Sequence, residues 1–586
     1  MKSAEIPTTN PKRLLWAGFT AIMASGVVFS IRAGILGQWG EQYGFTQTEL
    51  GAITGGGLTG FGIIILLSAL IADKIGYSKL MVSAFVVHLM SAVLTLAAGV
   101  AYKAGGKDAA FFCLFWGTFL VAVGNGIAEA VVNPLVATLF PKEKTHYLNI
   151  LHAGWPAGLV VGGIIAFVFT GESLFGWKPL EKALAWEYQL SLFLIPVALY
   201  GLMMLGQHFP KSEASQSGVS YSNMLRELGI LGGGVICVLL GLFFHSNLGF
   251  PPVFAIGAAA VLWLGFSYAT GFHFGPLLLV ALLIAHALVG YVELGTDSWI
   301  GKITGAIMNS KQGGLALLVY TSSLMFILRF FAGPIVERTS PLGLLFASSI
   351  LGAIGLTLLG NAASVWFCVL AATVYACGKT FLWPTMLAVV SEQFPKGGAI
   401  TIGAVGGVGM LSAGLLGGPA IGFKQDYFAS TSLKEKAPTV YERYKAPKIN
   451  EFLGLEVQGL DGTKVGVLDD PGENGVKTIY QDMERLRKPG SNASENAIKE
   501  QQALIDWWKT AEPSAKEDSA LVKETTLHGS RMALKLTAIV PMAMAVIYLL
   551  MILYFKAKGG YRAQEIVSKH EEAMKMAGGI EGPAEF

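Results

Sequence analysis

AVGNGIAEAVVNPLVATLFP at 122–141 and VYACGKTFLWPTMLAVVSEQFP at 374–395 are the two stretches that decide the fold. Each is an apolar run holding one charge, Glu129 in the first and Lys379 in the second, five residues before a proline (Pro134, Pro384). Each closes with Phe-Pro followed by a lysine, Lys142 or Lys396. Shared landmarks of this kind mark copies of one helix in the two halves of an internally repeated chain. Charges inside a bilayer are costly and tend to line a cavity or a solute path. A carboxylate and an ammonium at matching repeat positions therefore point to a carrier with a charge-lined central site.

Composition agrees with a membrane protein. Of 586 residues, 53% are hydrophobic and only 14% charged, and 73 glycines suit closely packed membrane helices. A net charge of +3 gives no reason to expect a nucleic-acid partner. Cys113, Cys237, Cys368 and Cys377 all lie in apolar segments without metal-ligand spacing, so neither a disulfide framework nor a metal site is expected. The first apolar run, from Leu14 to about Gly37, is long enough to span and reads as an uncleaved first helix.

Counting runs of roughly 20 apolar residues gives fourteen spans arranged as six, two and six. The first six fall at about 13–37, 50–72, 78–102, 109–139, 146–171 and 185–208, and two more at 228–247 and 252–271. The last six fall at 275–300, 314–336, 342–360, 364–393, 399–423 and 531–556. The expected organisation is an N-terminal six-helix bundle (1–208) and a linker with two extra helices (209–274). The first five helices of the second bundle (275–423), an extracytoplasmic insert (424–530), the last helix (531–556) and a tail (557–586) follow. A second repeat landmark supports this division: ALIADKIGYSKLM at 69–81 corresponds to GPIVERTSPLGLL at 333–345, matching Asp73 with Glu337 and Lys74 with Arg338. The extra pair belongs to neither repeat and is expected to pack at the periphery. Lysines and arginines of the short loops (Lys74, Lys79, Lys142, Lys144, Lys211, Arg226, Arg338, Lys396) gather on the side of both termini, which predicts cytoplasmic termini. The sequence points to a multi-pass protein of a plasma membrane, a bacterial inner membrane by preference. Asn492-Ala-Ser494 in the insert has the form of a glycosylation sequon.

The block Asp73-Lys74-Ile75-Gly76 resembles the signature loop of the major facilitator superfamily, with Ala69 where that pattern begins on glycine and the trailing basic residue delayed to Lys79. The resemblance implies an all-α polytopic fold of two six-helix bundles. It also implies a gating role for Asp73, Lys74 and Gly76 and for their counterparts Glu337 and Arg338. A narrower resemblance is to the fucose–galactose–glucose proton symporters. AEAVVNPLVATLFPKEKTHYLNILHAGWPAG (128–158) aligns Glu129, Asn133, Pro134 and Asn149 with that family, and LRFFAGPIVER (328–338) aligns Arg329 and Gly333. The chain departs from the family in having Arg32 where the symporters carry an acidic residue late in the first helix. It also has His152 and Trp155 where the family places amides.

In the architecture so implied, the first and fourth helices of each bundle line the cavity, bringing Arg32, Glu129, Glu293 and Lys379 to the centre. Glu129–Arg32 and Glu293–Lys379 are the expected pairs, with Asp297 one turn beyond, toward the outer mouth. Glu129 can serve as a proton-carrying carboxylate, or Arg32 and Lys379 can hold an anionic substrate, or the charges can be static pairs that lock helices. Asn133, Asn149, His152, Trp155 and Trp383 offer the amide and aromatic surface that suits a sugar. Trp39 and Trp299 are expected at the membrane interface, and His88 and His286 as packed histidines. Arg329, close in sequence to Glu337 and Arg338, is expected to gate or anchor a loop. No catalytic motif or nucleotide-binding loop occurs, so an enzyme is not expected. The reading is a monomeric secondary carrier of a small polar solute, a sugar by preference, working in the lipid bilayer with no cofactor beyond a proton gradient. An organic-anion carrier and a non-transporting nutrient sensor are the alternatives.

Overall fold

The computed structural model describes residues 9–43, 45, 50, 53, 57–169, 180, 184–469, 474–487 and 495–566. The sequon at 492–494 lies outside them. Among the described residues, fourteen helices are long and apolar enough to cross a membrane. The first six are α1 (Pro11–Leu36), α2 (Gly57–Ile75), α3 (Tyr77–Leu96), α4 (Ala98–Leu139), α5 (Lys144–Phe169) and α6 (Trp186–Met204). The extra pair follows as α7 (Tyr221–Ser246) and α8 (Pro252–Ala269). The second set is α9 (Leu277–Ile307), α10 (Gln312–Arg329), α11 (Pro341–Gly360), α12 (Val365–Gln393), α13 (Pro395–Lys436) and α14 (Ile539–Ala557).

The repeat legible in sequence is also a repeat in space. Across the boundary between the bundles α2 packs on α13, and α5 packs on α10. Stepping eight helices along exchanges these two contacts, as a two-fold pseudo-symmetric pair of bundles requires. Glycines set how close the helices approach. A Cβ added to Gly62 of α2 would lie 2.9 Å from the backbone nitrogen of Leu411 in α13, so the two backbones are almost in contact, as small residues permit.

The extra pair lies outside this frame. Val253, Ile256, Val261, Leu264 and Tyr268 of α8 are exposed, the pattern of a helix facing lipid. α7 packs on α8 and touches α9 and α13.

Helices of the membrane core run unbroken into the insert. α13 continues through the 423/424 boundary to Lys436, and the helix Ala515–Thr537 crosses the 530/531 boundary before α14 begins. These two extensions pack on each other. Between them lie a hairpin (Asn450–Phe452 with Leu455–Val457) and short helices around a separate apolar core that includes Tyr444, Leu468, Trp508 and Val522. Arg443 closes this unit with two bonds to Asp518, at 2.9 and 2.8 Å. The insert is thus a small folded unit on two helical stalks.

Candidate functional site

Several helices break or widen where they meet the middle of the molecule. Pro156 interrupts α5, which divides into Lys144–His152 and Gly154–Phe169. Pro384 interrupts α12, which divides into Val365–Lys379 and Leu382–Gln393. In both cases the missing N–H and the ring clash end the preceding helix. α9 widens into a π-helical turn at Tyr291–Gly295, the segment that carries Glu293. Such turns recur at functional sites because the widened turn redirects a side chain.

These irregular segments surround a cavity between the bundles. Ser25 of α1, Asn125 and Glu129 of α4, and His152 and Trp155 of α5 line one side; Glu293, Arg329, Trp383 and Met410 line the other. Glu129 is 6% exposed and Glu293 3%. Glu129 Oε1 lies 3.9 Å from His152 Nδ1, and His152 Nε2 is 2.8 Å from Asn133 Oδ1. One oxygen of each carboxylate, Glu129 Oε2 and Glu293 Oε2, is buried without a hydrogen-bond partner among the described residues. Both belong to residues that line the cavity, where a proton or a ligand hydroxyl would meet them.

The ion pairs differ from those expected. Glu293 is held by Arg329 at 3.0 Å, and Lys379 is held by Asp297. Arg32 is not paired with Glu129: its Nη2 donates to the carbonyl of Gly117 at 3.4 Å, and its Nε lacks a partner among the described residues. The reason is helical geometry. Asp297 is four residues after Glu293, one turn toward the insert, and there it meets Lys379. Glu293 is left for a cation from α10, whose last residue is Arg329. Arg329 is accordingly a residue of the cavity wall, 1% exposed, and not the anchor of the 337–338 loop. Lys379 and Arg32 do not line the cavity.

Sequence reasoning overlooked Ser25, which donates to Asn125 Oδ1 at 2.6 Å. Asn125 also meets His88 Nε2 at 3.0 Å, and His88 Nδ1 meets Tyr200 at 2.8 Å, so His88 is a satisfied core histidine. His286 packs against Trp383 with ring centroids 4.5 Å apart and the planes tilted by 59°, and neither ring nitrogen has a partner among the described residues. Trp39 is fully buried, edge-on to Trp186, so its ring packs against protein. Trp299 is half-buried and donates to the carbonyl of Gly418.

On the side of the termini the cavity is sealed by bonds between the bundles. Asn149 does not line the cavity; its amide donates to Thr385 at 3.2 Å. Lys144 donates to the carbonyl of Ser391 and pairs with Glu213 of the linker at 2.7 Å, and Thr145 donates to Glu392. Asp73 accepts from the backbone N–H of Ala399 at 3.1 Å and from Ser215 at 3.3 Å. The carboxylate thus sits at the N-terminal end of the helix that opens α13, where the helix dipole favours a negative charge. Lys74 lies over the ring of Tyr221, 3.7 Å from its centroid. Gly76 takes φ +95 at the turn into α3, a backbone region that favours glycine. Glu337 and Arg338, their counterparts in the second bundle, are exposed and take no part in the seal. The chain past α14 closes over the same place: Tyr561 donates to Glu392 at 2.6 Å, and the N–H of Gln564 to its carbonyl at 2.7 Å.

No curated relative matches the chain by sequence. The model of the Major Facilitator Superfamily matches residues 15–185. Among solved structures, an inward-facing, unoccupied bacterial homologue of the human lysosomal transporter Spinster is similar at 12% identity. That likeness covers 92% of this chain and 96% of that one, with a TM-score of 0.53. The proton:xylose symporter XylE bound to 6-bromo-6-deoxy-D-glucose is similar at 14% identity, covering 74% and 90%, with a TM-score of 0.50. The transporter FucP in its outward conformation is 17% identical over 70% of this chain and 92% of that one, with a TM-score of 0.47. With its fourteen spans, paired bundles and central cavity, the chain is an all-α polytopic membrane protein of the major-facilitator fold and resembles the transporters of that superfamily.

Proposed function

We propose that the protein is a secondary carrier that moves a sugar or a similar polyol by alternating access, with Glu129 carrying the coupling proton. The observation that carries this reading is the lining of the cavity. Two buried carboxylate oxygens without partners among the described residues, Glu129 Oε2 and Glu293 Oε2, belong to residues that line one cavity together with Trp155, Trp383 and Asn125. A pyranose presents apolar C–H faces that pack on aromatic rings and hydroxyls that donate to carboxylates, and this lining offers both.

The cationic residues favour a neutral ligand over an anion. Arg329 and Lys379 are already matched by Glu293 and Asp297. Arg32 is the remaining buried arginine of the expected site, and it lies outside the cavity lining. Transport then requires the seal on the side of the termini to open, a side that the basic loops assign to the cytoplasm. Glu129 alternates between a charged and a neutral form as the site is exposed to each side in turn.

The test is uptake of a labelled sugar panel by cells expressing the protein, with and without a protonophore, compared with Glu129→Gln. Uptake of one sugar that collapses with the gradient and in the variant is the expected result. Uptake that ignores both removes the proton role, and no uptake of any sugar by protein confirmed in the membrane removes the sugar.

A further inference from the structure

Two prolines strip two carbonyls of their helical donors, and one side chain takes both. Pro156 and Pro384 have no N–H, so the carbonyls four residues earlier, those of His152 and Thr380, cannot close their turns. A buried carbonyl left without a donor is costly. Arg329 supplies the donors: Nε to the Thr380 carbonyl at 2.9 Å and Nη1 to the His152 carbonyl, while Nη2 holds Glu293 Oε1 at 3.0 Å. Thr380 and Glu293 move with the bundle that carries Arg329, whereas His152 belongs to the other. The bond to His152 is therefore a tie between the bundles at the floor of the cavity, just inside the seal made by Asn149 and Thr385.

We propose that Glu293 and Arg329 form a proton-operated lock on the side of the termini. With Glu293 ionised, the guanidinium is neutralised and its fork is oriented, so Nη1 is held on the His152 carbonyl. A proton arriving from the cavity on Glu293 Oε2, the oxygen without a partner, leaves Arg329 as a buried cation without its counter-ion. That arrangement is strongly unfavourable in a dry site. Opening the seal lets water reach the guanidinium, so protonation shifts the population toward the open state. The charged and titratable groups around Glu293 are Arg329 of α10, Lys379 and Tyr375 of α12, Asp297 of its own helix, and Glu129 and His152 across the cavity. Asp297 is matched by Lys379, and Tyr375 donates to the carbonyl of Val292 at 2.7 Å, inside the same π-turn. Arg329 is a positioning residue here, and the lock deepens the alternating-access reading on which it rests.

The experiment reads conformation and needs no substrate. Ala388 is fully buried on the segment of α12 that packs against α5, one turn from Thr385. Ala388→Cys, with the four native cysteines replaced, reports opening through its rate of alkylation by N-ethylmaleimide in lipid nanodiscs. The thiolate is the reacting species and becomes scarce at low pH, so each rate is divided by that of a fully exposed cysteine at the same pH. This relative rate should rise about tenfold between about pH 8 and pH 5.5, a modest population shift. Glu293→Gln should show the fast relative rate at both pH values, and Arg329→Gln should lose the pH dependence of that relative rate. A flat relative profile in the otherwise unaltered protein overturns the lock, and that measurement stands even where a variant fails to fold. A pH response that survives in Glu293→Gln also overturns it. Alkylation that follows pH and Glu293 while no sugar is taken up keeps the lock and removes the sugar; sugar uptake with flat alkylation does the reverse.

Discussion

Lys379 and Asp297 offer a direct measure of what a buried ion pair does in this fold. The lysine side chain is 2% exposed and the aspartate 11%. Removing one partner of a buried pair leaves an uncompensated charge and costs about 3–5 kcal/mol, whereas replacing both with neutral side chains is often close to neutral. The two single variants should differ. Asp297→Asn strands an ammonium with almost no access to water and should fall at the upper end. Lys379→Met strands the more accessible carboxylate, which can take a proton, and should fall at the lower end. At roughly 2–4 °C per kcal/mol for domains of moderate size, and less for a longer chain, each single variant should lose about 5–10 °C in Tm. The double variant should recover most of that loss. Intrinsic tryptophan fluorescence during a thermal ramp of the detergent-solubilised protein is a suitable assay. Additive losses in the double variant, or single variants within about 2 °C of the parent, would refute the pairing. Should the double variant also keep uptake, Lys379 has no duty toward an anionic substrate.

Gly290 of α9 faces the backbone of α13: a Cβ there would lie 1.9 Å from the carbonyl oxygen of Gly409. Gly290→Ala must therefore move two backbones and should cost about 1–3 kcal/mol or more, seen as a lower Tm and a shorter lifetime in detergent. Tyr561 donates to Glu392 from just beyond α14, and Tyr561→Phe should speed alkylation of Ala388→Cys about tenfold or more at fixed pH, since one charge-assisted bond is worth about 1.5–3 kcal/mol; an unchanged rate would show that the tail does not hold the seal. Burial first, and the neighbouring Glu392 carboxylate second, raise the Tyr561 phenol well above its ordinary range. Its proton, and with it the contact, is present below the ordinary tyrosine range and should persist above about pH 10, where an exposed tyrosine would lose it. An ultraviolet difference spectrum between the parent and Tyr561→Phe that shows one phenol ionising in the ordinary tyrosine range would contradict this.

The all-helical class, the fourteen spans and the paired bundles were legible in the sequence, because apolar length and a repeated landmark are one-dimensional signals. Glu129, Glu293, His152, Trp155 and Trp383, which the structure brings to one cavity, were also legible as candidates, since a charge, or an aromatic or histidine near a proline, stands out in an apolar run without coordinates. Pairing was not legible. Asp297 and Glu293 lie on one helix a turn apart, and sequence spacing gives no account of which cation stands opposite each. Arg329 was placed with its sequence neighbours 337–338, although its side chain points back toward the cavity and closes two breaks in helices of different bundles. The prolines at 156 and 384 announced those breaks. Only the packing of α10 between α5 and α12 decided that a single guanidinium would satisfy both freed carbonyls. Span count and repeat follow from local hydrophobicity, which a chain carries residue by residue; partners and seals follow from distances between helices far apart in the chain, which exist only once the bundles have packed.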